Sequence, residues 1–114
     1  MTDCLFCKMV ARQIQPAVVY ETEQVLAFRD IHPKAPTHVL VIPKKHLPTL
    51  NDLAAEDTAL AGELLQAVKI VAEQEGLAQS GYRTVINCNG HAGQEVFHLH
   101  LHVLGGRTLK WPPG

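Results

Sequence analysis

Near the C-terminus the run Phe97-His98-Leu99-His100-Leu101-His102-Val103-Leu104 alternates imidazole with aliphatic side chains. Successive side chains of a strand point to opposite faces, so the run predicts a strand over 96–104. His98, His100 and His102 share one face of it, and Leu99, Leu101 and Val103 share the other. The aliphatic face has to be core. The opposite face carries three imidazoles whose Cα atoms are roughly 6.5–7 Å apart. Solvated strand faces mix Lys, Glu, Thr and Ser, whereas this one repeats a single titratable ring, which points to chemistry.

Two chemistries suit such a face. Catalytic zinc takes three protein ligands and keeps a fourth position open. Alternatively an imidazole is the nucleophile and forms a covalent intermediate. The preceding loop, Asn87-Cys88-Asn89-Gly90-His91-Ala92-Gly93-Gln94, offers glycines and amides. Such a loop brings backbone N–H groups against an anion such as phosphate, which favours the nucleophile.

At 114 residues the chain is expected to form one domain, and 46% hydrophobic against 18% charged residues is a globular composition. Ten Lys and Arg against eleven Asp and Glu leave a net charge of −1, so neither nucleic acid nor an anionic membrane is an expected partner. The longest apolar runs, such as 39–42, are too short to span a bilayer. Met1-Thr2-Asp3-Cys4 lacks the basic and apolar regions of a signal peptide, which predicts a cytoplasmic protein with reduced thiols. The odd number of cysteines, three, also argues against a disulfide framework. Cys4 and Cys7 are therefore either metal ligands or small apolar side chains.

Asp3 is placed to cap a short helix over 4–13, with Leu5, Phe6, Met9 and Val10 on its apolar face. Strands at 18–20 and 25–28 form a hairpin around the polar turn 21–24. The prolines of 30–36 make that segment a loop, and a central strand over 38–42 ends at Pro43. One long helix is predicted from Asn51 or Asp52 to about Glu75, with Leu53, Leu60, Leu64, Leu65, Val68, Val71 and Ala72 as its buried stripe. Gly76-Leu77 stops it. Strands over 82–87 and 96–104 follow. The order α-β-β-β-α-β-β predicts an α+β fold with a mostly antiparallel five-stranded sheet, one long helix and one short one.

Several motifs together resemble the histidine triad (HIT) family. They are His98-Leu99-His100-Leu101-His102-Val103-Leu104, Ala27-Phe28-Arg29-Asp30-Ile31, the segment from Ala35-Pro36-Thr37-His38 to Lys44-Lys45-His46, and Gly93-Gln94 through Gly105-Gly106-Arg107. More narrowly the chain is similar to the Hint branch, the purine nucleoside phosphoramidases, including its Trp111-Pro112-Pro113-Gly114 ending. The resemblance implies a HIT-like fold whose sheet continues across a homodimer. It implies hydrolysis of nucleoside 5′-phosphoramidates and aminoacyl-adenylates through a nucleotidyl-histidine, with AMP or GMP released and no organic cofactor.

By position, the resemblance makes His100 the nucleophile. His102 then contacts the phosphate oxygens or leaving group, and His38 completes the cluster. Asp30 matches the ribose-binding position, and Phe6, Ile14, Ile31 and Leu40 match the purine sandwich. Asn87, Gly93, Gln94, Glu95 and Val96 match the phosphate side. Glu95 stands where animal members carry Ser. Family members with an N-terminal Cys-x-x-Cys bind structural zinc, and their remaining ligands match His46 and His98 here.

From the residues alone, other assignments stay open at this point. His38 also suits a core histidine, Asp30 a turn former, Phe6 and Ile14 ordinary core, and the cysteines an apolar helix face. A dinucleoside polyphosphate hydrolase, a nucleotidyl transferase, a nucleotide-binding scaffold and a His₃ zinc hydrolase are the competing functions.

Overall fold

The computed structural model describes residues 3–114; Met1 and Thr2, part of the signal-peptide reading, lie outside the described residues. A short helix, α1 (Leu5–Val10), precedes strands β1 (Val18–Glu21), β2 (Val25–Arg29) and β3 (Thr37–Pro43). The long helix α2 (Thr58–Gln74) then leads to β4 (Tyr82–Val85) and β5 (Leu101–Gly105). The sheet order is β1-β2-β3-β5-β4 and every pairing is antiparallel. The α+β prediction holds, and the sheet is wholly antiparallel.

Alternation along β2 and β3 splits the buried side chains between two faces. Val25, Ala27, Val39 and Val41 pack with Leu101, Val103 and the stripe of α2. Leu26, Phe28, Leu40 and Ile42 form a second cluster with Phe6 of α1. Burying one such aliphatic side chain contributes about 1.5–3 kcal/mol, so the long-helix face carries most of the stabilisation. The face beneath the short helix is left for chemistry.

The starts of β5 and of the long helix differ from expectation. β5 starts at Leu101, not 96. Its register against β3 (Thr37↔Gly105, Val41↔Leu101) would set Leu99 opposite Pro43, which has no N–H to extend the ladder. Leu99 N–H instead donates to the Leu47 carbonyl at 2.6 Å, and Leu99 still packs in the α2-side core.

The long helix starts at Thr58, after two 3₁₀ turns over Leu50–Asp52 and Ala55–Asp57. Thr49 and Asp52 close a reciprocal cap: the Thr49 hydroxyl accepts from Asn51 N–H at 3.1 Å, and Asp52 accepts from Thr49 N–H at 2.9 Å. Asp57 accepts from Ala54 N–H at 3.0 Å. These local acceptors favour tight turns over a continuous helix. Leu65 does not belong to the buried stripe. It is 59% exposed, because Leu64 and Val68 take the core side of those turns.

The Gly105-Gly106 pair follows from packing. A Cβ on Gly105 would lie 2.7 and 2.9 Å from the methyl groups of buried Leu77. Gly106 has φ +93°, and a Cβ there would meet Pro36 at 2.8 Å. Gly105→Ala is expected to cost about 1–3 kcal/mol by overpacking. Urea unfolding checks this, and an unchanged midpoint would refute it.

Candidate active site

The tautomers of the clustered histidines follow from partners that can only donate or only accept. His100 Nδ1 lies 2.7 Å from the carbonyl of His98, so Nδ1 carries the proton. Its Nε2 is left as a bare lone pair. The ring is 8% exposed and sits edge-on to Phe6, with centroids 5.2 Å apart. Lys34 N–H donates to His38 Nδ1 at 3.0 Å, which puts the His38 proton on Nε2. That proton is donated to His102 Nδ1 at 2.8 Å. The His102 proton therefore sits on Nε2, which is buried without a hydrogen-bond partner among the described residues.

An unmatched buried donor costs about 1–3 kcal/mol until an acceptor arrives. A phosphoryl oxygen is such an acceptor. Burial lowers the pKa of His102 to about 4, helped by neighbouring His100 and His38. Burial also lowers His38, against the opposing pull of Asp30. Both rings are neutral at pH 7.

Between about pH 6.5 and 4 the unfolded chain protonates these imidazoles while the native His102 stays neutral. The unfolded state then binds more protons, so native stability falls as pH drops through that window. Thermal melts at pH 7 and pH 5 test this. The difference between the two should be smaller in His102→Asn, and equal slopes would refute the assignment.

His100 and His102 line a cavity of about 270 Å³. One side is apolar: Phe6, Phe28, Ile31 and Leu40, joined by Leu5 and Met9 of α1. The other is polar: Asp30, His32, Asn87, Gly93, Gln94, Glu95, His100 and His102, with Val96 beside them. Asp30 does form a turn, because its Oδ1 accepts from His32 N–H at 2.8 Å. The same carboxylate reaches the cavity, with Oδ2 3.5 Å from His38 Nε2.

A second cluster lies behind Phe6. Cys4 Sγ is 3.3 Å from His98 Nδ1, Cys7 Sγ is 3.3 Å from His46 Nδ1, and the two imidazole Nδ1 atoms are 3.2 Å apart. A tetrahedron built on Zn–N near 2.0–2.1 Å and Zn–S near 2.3 Å has edges of roughly 3.3–3.8 Å, so the donors are spaced to hold a metal ion. His98 Nε2 donates to the Pro43 carbonyl at 2.7 Å, which turns a lone pair on Nδ1 toward the thiols. Asp30, His38 and His102 also converge. The His38–His102 hydrogen bond of 2.8 Å, with the Asp30 carboxylate 3.5 Å from His38 Nε2, makes them a hydrogen-bond relay, so we assign them no metal.

A family model described as HIT domain matches residues 11–109. The chain belongs to the HIT family. Over 107 residues it is 48% identical to a protein of Escherichia coli K12 named purine nucleoside phosphoramidase, covering 94% of this chain and 90% of that one. An uncharacterized HIT-like protein of Synechococcus elongatus is 54% identical over 98% of this chain and 97% of its own length. The crystal structure of a HIT family hydrolase from Legionella pneumophila superposes with TM-score 0.96 at 53% identity, covering 98% of this chain and 100% of that one. The α+β sheet described above is therefore the HIT fold.

Against that fold, most of the expected HIT residues meet at the cavity. His38 stands behind His102 and lines a neighbouring cavity instead. Ile14 does not line the cavity; it is 37% exposed, beyond the end of α1. Leu5, Met9, Phe28 and His32 line it although the sequence assigns none of them a site role, Phe28 even standing within one of the HIT-like motifs. Register would have found Phe28, which pairs with Leu40 on the same sheet face. Leu5 and Met9 look like ordinary helix core until the cavity is known to lie beneath that helix.

Gln94 lines the cavity, but its amide is fully used internally. It accepts from Asn89 N–H at 2.8 Å and donates to the carbonyls of Pro48 and Val96 at 2.8 and 3.1 Å. It is a strut for the loop, whose Asn89 and Gly93 have φ of 66° and 77°. Gln94→Ala should destabilise by about 1–3 kcal/mol by leaving these groups unpaired. An unaltered melting temperature would remove that role.

Among the described residues no helix is long and apolar enough to cross a membrane.

Proposed function

We propose that this HIT family hydrolase is a purine nucleoside phosphoramidase that cleaves the P–N bond of nucleoside 5′-phosphoramidates and the acyl P–O bond of aminoacyl-adenylates. One observation carries the reading: a bare His100 Nε2 beside an unpartnered His102 Nε2–H. His100 Nε2 attacks the α-phosphorus as the bond to the leaving group breaks; an amine departs after taking a proton from solvent, and an aminoacyl carboxylate departs as the anion. The phosphorylated imidazole is cationic, and the His98 carbonyl on its Nδ1–H stabilises that charge. Water then attacks the phosphorus, breaks the bond to His100 and releases AMP or GMP. His102 donates to a phosphoryl oxygen throughout, held in that tautomer by His38 and, behind it, the Lys34 amide.

Asp30 accepts from the ribose hydroxyls. Phe6, Phe28, Ile31 and Leu40 enclose the purine; they read its shape and not its edges, so both purines are accommodated. Asn87, Gly93, Glu95 and Val96 border the phosphate and leaving group.

We further propose that Cys4, Cys7, His46 and His98 hold a structural zinc, closed to substrate by its four protein ligands. The active form is proposed to be a homodimer joined through the β4 edge and α2, where Tyr82 and Leu65 are 40% and 59% exposed. Sedimentation at micromolar concentration tests the dimer, and a monomer there would defeat it.

The deciding experiment for the chemistry is intact-mass spectrometry of His102→Ala mixed with adenosine 5′-phosphoramidate. A protein adduct of one adenylyl group is expected, lost when His100 is also replaced. An adduct that persists without His100 would overturn the assignment.

A further inference from the structure

Cys4 and Cys7 bracket Leu5 and Phe6, so the residues that reach the metal cluster also fix the wall of the nucleotide cavity. The Phe6 ring centroid is 5.9 Å from His98, 5.2 Å from His100 and 5.3 Å from Phe28. One side chain thus touches a metal-site ring, the nucleophile and the apolar wall.

α1 has six residues, far below the roughly 12–15 at which an isolated helix becomes even marginally stable in water. The backbone N–H groups of Lys8, Ala11, Arg12, Gln13 and Ile14 all bond to carbonyls within the same segment. Among the described residues, side chains dock it on the sheet: Phe6, Met9 and Val10 at the second core cluster, the two thiols at His46 and His98, and Arg12 with Glu21 at the far end.

We propose that metal occupancy of the Cys4–Cys7–His46–His98 site and purine binding are coupled, with Phe6 as the positioning residue between them. The inference rests on the metal and nucleotide readings above. A metal ion ligates all four donors only when α1 is docked. A purine base meets Leu5, Phe6 and Met9 only in that same state. Two ligands that select one state strengthen each other by equal factors. Ribose 5-phosphate lacks the base, touches only the polar side of the cavity, and escapes the coupling.

The test uses the wild-type protein stripped by chelator and the same protein with one equivalent of zinc, titrated calorimetrically with AMP and with ribose 5-phosphate. Removing zinc should weaken AMP by about 5–50-fold, within the usual range for coupled sites, and ribose 5-phosphate by less than about twofold. Reciprocally, saturating AMP should raise zinc affinity, measured by chelator competition, by the same factor, and ribose 5-phosphate should not. That second measurement uses the loaded protein, so it decides the matter even if the stripped chain unfolds. In Phe6→Ala, zinc should bind with AMP no longer changing its affinity. Zinc affinity unaffected by AMP in the wild type would overturn the coupling while leaving the metal site standing. Equal weakening of AMP and ribose 5-phosphate would overturn it in favour of general loosening. Failure to take up any zinc would overturn the metal reading itself, and the coupling with it.

Discussion

His100→Ala should lower phosphoramidate turnover by about 10⁴-fold or more, the scale seen when a nucleophile acting with its partners is removed. AMP affinity should weaken by less than about tenfold, since the apolar walls, Asp30 and the loop amides remain. The separation follows from the geometry. The ring has one nitrogen committed to the His98 carbonyl at 2.7 Å and the other free for attack. No neighbour can replace it: His102 Nε2 carries its proton, and His38 Nε2 donates to His102. His100→Gln is the companion variant, keeping bulk and a polar tip against Phe6 so that loss of packing is held apart from loss of the nucleophile. Rapid quench with adenosine 5′-phosphoramidate measures the chemical step. Either variant retaining more than a tenth of the wild-type rate would sink the covalent route.

What was legible in the sequence was whatever alternates or punctuates. Leu99, Leu101 and Val103 mark the α2-side core, and His98, His100 and His102 mark the opposite side. Pro43 marks the end of β3. What was not legible depends on groups that meet only in the fold. The His102 tautomer is set by the Lys34 amide acting through His38, and the His98 tautomer by the Pro43 carbonyl. No spacing rule encodes those partners. By position Gln94 matches the phosphate side, but its side chain turns inward because Asn89, Pro48 and Val96 present complementary backbone groups. Leu65 is exposed for a simpler reason. Apolar character says that burial is favourable, and which apolar residues are buried is decided by the available neighbours.

The metal should matter more to stability than to the chemical step. Protein prepared without added metal should contain about one zinc per chain, lost in the Cys4→Ser, Cys7→Ser double variant. The four donors tie α1 to the segment after β3 and, through His98, to the stretch two residues before the nucleophile, three points far apart in the chain. Closing that contact contributes folding free energy directly, because the unfolded chain holds no preformed site. A loss of roughly 2–4 kcal/mol would lower the melting temperature by about 10 °C or more in a domain of this size. The attacking nitrogen should be less affected. Its tautomer depends on the His98 carbonyl, and Leu99 N–H bonded to Leu47 at 2.6 Å holds that stretch of backbone without the metal. Single-turnover rates at saturating substrate should therefore fall by less than about tenfold in the double variant, well short of the His100 effect. Elemental analysis, calorimetric melting and rapid quench measure the three quantities. Far less than one zinc per chain in protein never exposed to chelator would refute the structural site. Full zinc with a chemical step as damaged by its removal as by His100→Ala would instead place the metal in catalysis.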